Sequence, residues 1–133
     1  MHELLRELKQ DDKIYEYDTL SRMGYNMATQ LFTQILEGVN YLHEQNPQII
    51  HRNLSVYNIL ILNNYQSKSV VKIAGLGSAC LHKEKGQKHT QYIGSASTMA
   101  PEVEDGTQYD TRADIYSLEE VLREKFLIDE DRY

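Results

Sequence analysis

The chain has a single cysteine, no long apolar run and a deficit of positive charge. Because Cys80 stands alone, no disulfide can form within the chain. No window approaches the about 18 apolar residues that a membrane-spanning helix needs, and residues 1–13 lack the apolar run of a secretion signal. These absences predict a cytoplasmic protein without a membrane partner. The net charge of −6 argues against nucleic acid as a partner, because phosphate backbones are bound by Lys and Arg.

What remains is an ordinary globular composition in a chain of one-domain length. Hydrophobic residues make up 41% of the 133 residues and charged residues 26%, which is typical of folded proteins. A chain of this length supports one hydrophobic core. We therefore expect residues 1–133 to form one domain or part of one.

Apolar residues at helical spacing predict three helices. Residues 2–9 place three leucines on one face of a short helix. A longer helix is predicted over residues 21–43, where apolar side chains recur every three or four positions at Met23, Met27, Leu31, Ile35, Val39 and Leu42. A third helix begins at Asp110 or Thr111, either of which can cap it. Its apolar positions are Ile115, Leu118, Val121, Leu122 and Phe126.

Between the last two helices, three short aliphatic runs predict two or three small strands. They cover residues 49–50, 59–62 and 70–73, and the polar loop 63–69 joins the last two as a hairpin. Residues 75–106 show neither helical nor strand periodicity, so we expect an irregular segment of a length that is usually functional. The predicted fold class is mainly α with a small β-hairpin.

Four short motifs follow one another along the chain: HRNLSVYN at 51–58, GLG at 75–77, MAPE at 99–102 and DIYSL at 114–118. In this order and at these spacings they resemble the C-terminal lobe of eukaryotic protein kinases. The resemblance implies a partial kinase-like domain over residues 1–133, a helical C-lobe that runs from the catalytic loop to the central helix. It also implies that the N-terminal lobe, with its glycine-rich loop and strand lysine, and the last helices of the lobe are absent from these residues.

The catalytic loop of that family reads H-R-D-L-x-x-x-N. By this resemblance Asn53 stands at the position of the catalytic acid, Ser55 at that of a lysine that steadies the phosphate, and Asn58 at that of a metal-binding Asn. An amide cannot act as a general base, and a serine is too short to replace the cation. The resemblance implies a structural role for His51, packed beneath the loop.

The second motif departs further from the family pattern. Gly75 replaces the metal-binding acid of D-F-G, and glycine has no side chain with which to ligate magnesium. Leu76 replaces the phenylalanine, and it can still fill an apolar slot above His51. Independently of the resemblance, Gly75 and Gly77 are expected in a tight turn that needs positive φ.

Three charged residues also take roles from the resemblance. Asp114 is implied to anchor the backbone of the catalytic loop. Glu102 lacks the arginine that pairs with it in the family, so it is either exposed or satisfied elsewhere. Arg52 either pairs with a phosphorylated residue of the irregular segment or is a surface arginine without a partner. The candidate acceptors of that phosphate are Thr90, Ser95, Ser97 and Thr98.

These departures predict a kinase-like domain without phosphoryl transfer. It would act as a regulatory or scaffold module on a protein partner or on the remainder of a longer chain, with no cofactor and no metal. The alternative is a serine/threonine kinase that is active in its full-length form, with ATP and Mg held in part by Asn58. A third reading is a truncated product without an independent function, because a lobe without its closing helices exposes apolar surface.

Two other patterns bear on this hypothesis. Gly75-Leu76-Gly77 after a strand is similar to the start of a dinucleotide-binding turn, but Cys80 stands where the third glycine of that turn belongs. QILEGVNYLHE and IGSASTMAPEVEDGTQYDTRADIYSL resemble the kinases that act on translation initiation factor two alpha. Ser97 and Thr98 depart from the Leu-Tyr expected in the second stretch.

Overall fold

The structure is a computed structural model that describes residues 14–63 and 69–125. The chain divides into two compact units, Met1–Thr33 and Gln34–Tyr133. The described part of the first unit is helical, and the second unit carries the described strands and the four motifs. The helix predicted over residues 2–9 lies outside the described residues, as do Phe126 and the centre of the hairpin loop.

Helix α1 spans Ile14–His43. It begins before the predicted start at residue 21, because residues 14–20 contain no glycine or proline that would stop a helix. Its end at His43 agrees with the prediction. Ile35 and Val39 are buried in the second unit, whereas Met27 in the first unit is 58% exposed, which contradicts its predicted place in the apolar stripe. A helical period determines which side chains share a face, but not how far along that face they are covered.

In the described residues, four short strands form two separate antiparallel pairs. Strands β2 (Ile59–Asn63) and β3 (Ser69–Ile73) form the predicted hairpin, in which Ile59 lies opposite Ile73. Strand β1 (Gln48–Ile50) pairs instead with β4 (Cys80–His82), with Ile50 opposite Cys80. The β1–β4 pair was not predicted, because a three-residue strand is too short to show an alternating pattern.

The segment over residues 75–106 is more regular than predicted. It contains a 3-10 turn at Leu76–Ser78, strand β4 and the one-turn helix α2 (Pro101–Glu104). The expectation of an irregular segment is therefore wrong for these three elements. Elements of three or four residues leave no detectable period in the sequence.

Helix α3 spans Arg112–Lys125. Asp110 Oδ1 accepts a hydrogen bond from the Arg112 backbone N–H at 2.9 Å, which satisfies one of the free donors at the start of the helix. Leu118 and Val121 are buried as predicted, but Ile115 is 52% exposed. Ile115 borders a groove of about 380 Å³ beside α1.

The core of the second unit lies where β1, α2 and α3 meet. Ile50, Val103 and Ala113 are each at most 3% exposed, and they pack together with Ala100 and Tyr109. The loop that carries the HRNLSVYN motif therefore begins directly after Ile50, the buried last residue of β1. Among the described residues, no helix combines the length and the apolarity needed to cross a membrane.

Candidate functional site in the loop after β1

Asp114 on α3 anchors the first residues of the loop. Its carboxylate is fully buried. Oδ1 accepts a hydrogen bond from the Arg52 backbone N–H, and Oδ2 accepts one from the His51 backbone N–H, each at 2.8 Å. His43 Nε2 on α1 donates to Oδ2, also at 2.8 Å. Because bonds to an ionised carboxylate are about twice as strong as neutral ones, this one side chain holds the loop in place.

The imidazole of His51 joins the loop to the turn after β3. Its Nε2–H donates to the carbonyl of Ala74 at 2.9 Å, and its Nδ1 accepts from the Asn53 backbone N–H at 3.2 Å. This pattern requires a neutral ring. Burial lowers the pKa of His51, which keeps the ring neutral in the folded protein. His51 thus ties the two degenerate motifs to each other.

Arg52 is held by neutral acceptors within the protein. Its Nε donates to the carbonyl of Ser78 at 2.6 Å, and its Nη1 donates to the hydroxyl of Tyr109 at 3.2 Å. That hydroxyl donates in turn to the carbonyl of Thr90. Burial raises the pKa of Tyr109, so the phenol keeps its proton. The alternative of a surface arginine without a partner is therefore wrong, because Tyr109 reaches Arg52 from a distant part of the chain.

The backbone of Arg52 also constrains the residues that pack on it. Arg52 has φ of 63°, a left-handed conformation that costs a non-glycine residue about 1 kcal/mol. Gly94, with φ of 105°, lies so close to the carbonyl of Arg52 that any Cβ at position 94 would overlap it. Only glycine allows this approach of the two backbones. The segment around Gly94 is thereby fixed against the loop.

Thr98 and Ser117 extend this attachment into the core. Thr98 is 2% exposed, and its hydroxyl donates to the carbonyl of Leu54 at 2.7 Å. The Ser117 hydroxyl on α3 donates to the carbonyl of Thr98, also at 2.7 Å. The sequence marked Thr98 as a candidate phosphate acceptor and as a departure from an expected Leu-Tyr pair, and it placed Ser117 in the DIYSL motif without giving it a role. Nothing in the local pattern around either residue signals a contact with the loop.

Asn53, Asn58 and Gly75 come together in the structure. Asn58 Nδ2 donates to the backbone carbonyl of Asn53 at 2.7 Å. The backbone of Asn58 accepts a hydrogen bond from the Ala74 N–H at 2.8 Å. A Cβ built on Gly75 would lie 2.6 Å from Cγ and Oδ1 of Asn58, closer than such atoms approach in proteins. The Asn58 amide therefore fills the space that a side chain at position 75 would need.

The two glycines of the GLG motif differ. Gly75 has the positive φ that we predicted, at 81°. Gly77 is not among the glycines with positive φ, because it lies inside the right-handed 3-10 turn at Leu76–Ser78, and the prediction for it is wrong. A dinucleotide-binding turn is also contradicted, since the motif continues into that turn and β4 rather than into a helix.

The side chains of three other predicted residues take no part in the contacts just described. Ser55 is buried, and its carbonyl accepts the Asn58 backbone N–H at 3.0 Å. Leu76 is 52% exposed, so it does not fill a buried slot above His51. It opens a 3-10 turn directly after a left-handed glycine, and this turn leaves its side chain at the surface. Glu102 is exposed on α2, which is one of the two alternatives that we expected for its side chain.

These residues do not fit a magnesium ion. Mg²⁺ in proteins is usually held by one or two carboxylates together with water and phosphate oxygens. Positions 53, 58 and 75 supply two amides and a glycine, and Asp114 is occupied by the three donors described above. Across residues 14–63 and 69–125, no group of three or more His, Cys, Asp or Glu side chains is arranged to hold a metal ion.

Comparison with known proteins gives the family. The family model for the protein kinase domain matches residues 2–128. The dual specificity protein kinase splA of Dictyostelium discoideum is 37% identical over 124 residues, which cover 86% of this chain and 5% of that protein. Eukaryotic translation initiation factor 2-alpha kinase 1 of Mus musculus is 36% identical over 112 residues, 76% of this chain and 17% of that protein.

A third relative is the serine/threonine-protein kinase Nek11 of Homo sapiens, 35% identical over 115 residues, which cover 86% of this chain and 17% of that protein. The chain thus spans less than a fifth of the length of these three relatives. The mouse relative acts on the initiation factor that the finer resemblance indicated. Because the family match covers nearly the whole chain, this protein belongs to the eukaryotic protein kinase superfamily.

Proposed function

We propose that residues 1–133 form the core of the C-terminal lobe of a kinase-like domain that does not transfer phosphate and that acts as a regulatory or scaffold module. The observation that carries this proposal is the contact between Asn58 and Gly75. The Asn58 amide donates to the carbonyl of Asn53 and occupies the space that a Cβ at position 75 would need. The residue that would remain as a metal ligand is therefore used as a structural contact.

The physical argument concerns charge. Phosphoryl transfer by kinases depends on positioning and on the field of metal ions, with a carboxylate that orients the substrate hydroxyl. Asn53 carries no charge, and a positioned acid or base contributes about 10²- to 10⁴-fold in rate. Gly75 carries no ligand, so the metal field is lost as well. The two losses together leave no useful rate of transfer.

The contacts that hold the loop in place support a role in binding a partner. Asp114 and His51 hold the loop by buried hydrogen bonds, and Gly94 and Thr98 fasten the following segment to it. A rigid surface loses little conformational entropy when a partner binds. The partner is a protein or another part of a longer chain, in the cytoplasm. No cofactor takes part.

The second candidate is a serine/threonine kinase that is active in its full-length form. The relatives favour it, because the proteins named above are themselves kinases. In that case Asn58 would have to leave its contact with Gly75 and share an ion with groups from the rest of the chain.

Thermal unfolding of the full-length protein with ATP and magnesium separates the two candidates. A ligand that binds the native state raises the melting temperature, by an amount that grows with its concentration. We expect no shift with ATP and magnesium and no transfer of labelled phosphate from ATP to protein substrates. A magnesium-dependent shift that Asn58→Ala removes and Asn40→Ala retains would overturn the proposal, since Asn40 is exposed on α1. Phosphate transfer with the same dependence would establish the kinase.

A further inference from the structure

Outside the loop, two histidines face each other across the turn that follows β4. Nδ1 of His82 and Nε2 of His89 are 2.9 Å apart, and their ring centroids are 5.2 Å apart. The second nitrogen of His89, Nδ1, lies 3.4 Å from Sγ of Cys80. The other neighbour of the His89 ring is the ring of Tyr109, at 5.1 Å between centroids. Both histidines are partly exposed, so protons from solvent reach them.

The histidine pair links three parts of the chain. His82 is the last residue of β4, and His89 ends the turn over residues 83–88. The His89 backbone N–H donates to the carbonyl of Thr107 at 2.7 Å, and Lys88 forms a β-bridge with Gln108. The two imidazoles therefore join β4 to the segment that leads into α3.

The number of protons on the pair decides whether this contact can form. A neutral imidazole has one N–H and one lone pair, so two neutral rings form one N–H···N bond. One added proton is tolerated, because an imidazolium can still donate to a neutral neighbour. A second added proton places an N–H on both facing nitrogens. The bond is then lost, and two positive charges face each other at close range.

The surroundings make the second proton costly. Burial lowers the pKa of His89, and the nearby His82 and Arg52 add to this effect. Cys80 is a neutral thiol, because burial raises its pKa. The carboxylate of Asp110 favours a charge on His82, but it is already paired with Arg112 at 3.0 Å, and that hydrogen bond lowers the pKa of the carboxyl. The turn between the histidines carries Lys83, Glu84, Lys85 and Lys88, with a positive balance. Gln48, opposite His82 on β1, is uncharged.

We propose that His82 and His89 form an acid-responsive latch, which holds residues 83–89 against β4 while the pair carries at most one added proton and releases them when both rings are protonated. The latch does not depend on whether the protein transfers phosphate. Because the folded state resists the second proton and the unfolded state does not, the stabilising contribution of His89 is complete above its ordinary pKa of about 6.5. It is lost as the pH falls below that value.

Hydrogen exchange of the full chain tests the latch. Protection factors, which correct for the pH dependence of intrinsic exchange, are measured at about pH 7.5 and about pH 5. We expect the amides of Gln87 and His89 to lose about five- to tenfold in protection at the lower pH, the effect of one lost hydrogen bond. The His82→Gln variant carries a glutamine side chain, which is never charged, so this loss of protection should disappear. Lys83→Gln is the matched control, because it removes a neighbouring charge without touching either imidazole, and it should retain the loss.

Imidazole NMR of the unmodified protein provides a second measurement that does not depend on any variant folding. Strongly coupled rings titrate in two steps separated by more than about one pH unit. The latch is overturned if His82 and His89 titrate independently in single steps. It is also overturned if protection over residues 83–89 is the same at both pH values, or if His82→Gln loses protection as the unmodified protein does.

Discussion

Replacing Gly75 by alanine tests the contact on which the proposed function depends. The same replacement at Gly77, two positions along the same turn, is the matched control. Gly75 has φ of 81°, and a Cβ at this position would lie 2.6 Å from the Asn58 side chain. Gly77 has no positive φ, and a Cβ there meets nothing within 4 Å. The two variants therefore differ in backbone conformation and in steric contact, but not in chemistry.

The expected size of the effect follows from these two differences. A left-handed conformation costs alanine about 1 kcal/mol relative to glycine. The Asn58 amide must also move, and the loss of its hydrogen bond to the Asn53 carbonyl costs about 0.5–1.5 kcal/mol. Both variants gain about 0.4–1 kcal/mol from a less flexible unfolded chain. We expect Gly75→Ala to be less stable than Gly77→Ala by about 2 kcal/mol, with Gly77→Ala equal to or slightly above the unmodified protein.

Urea denaturation measures both free energies of unfolding, and a double-mutant cycle with Asn58→Ala separates the two contributions. In the Asn58→Ala background the steric conflict is gone, so Gly75→Ala should be less stable than Gly77→Ala by only the backbone term, about 1 kcal/mol. Equal stabilities of Gly75→Ala and Gly77→Ala would refute the reasoning. So would a coupling energy of zero, because it would mean that Asn58 does not occupy the space beside Gly75.

Two other substitutions address how the loop is held. Tyr109→Phe removes the hydroxyl that accepts from Arg52, and it should lower the free energy of unfolding in urea by about 1–2 kcal/mol. The control is Tyr57→Phe, which should not change this free energy because Tyr57 is 85% exposed. Equal effects of the two variants would contradict the contact between Arg52 and Tyr109. Asp114→Asn leaves buried donors without an ionised acceptor and should cost about 3–5 kcal/mol by the same assay. Asp105→Asn, at an exposed position, is its control, and a cost below about 1 kcal/mol for Asp114→Asn would show that the loop does not depend on this carboxylate.

Sequence reasoning was most successful where a conclusion depends on residue type or on local pattern. The β2–β3 hairpin, the end of α1 and the positive φ of Gly75 could be predicted because each is decided by residues adjacent in the chain. The family also follows from the order of four local motifs. The strand β4 and the helix α2 could not be predicted, because they are too short to leave a periodic signal.

The absence of a carboxylate at positions 53 and 75 is determined by the sequence alone, because no conformation can give an amide or a glycine a negative charge. Which contacts the other residues of the loop make was decided only by the tertiary structure. Arg52 meets the hydroxyl of Tyr109, 57 positions away, and Asp114 reaches the loop from 63 positions away. Contacts between residues so far apart depend on how the elements pack, and a local pattern carries no record of that packing.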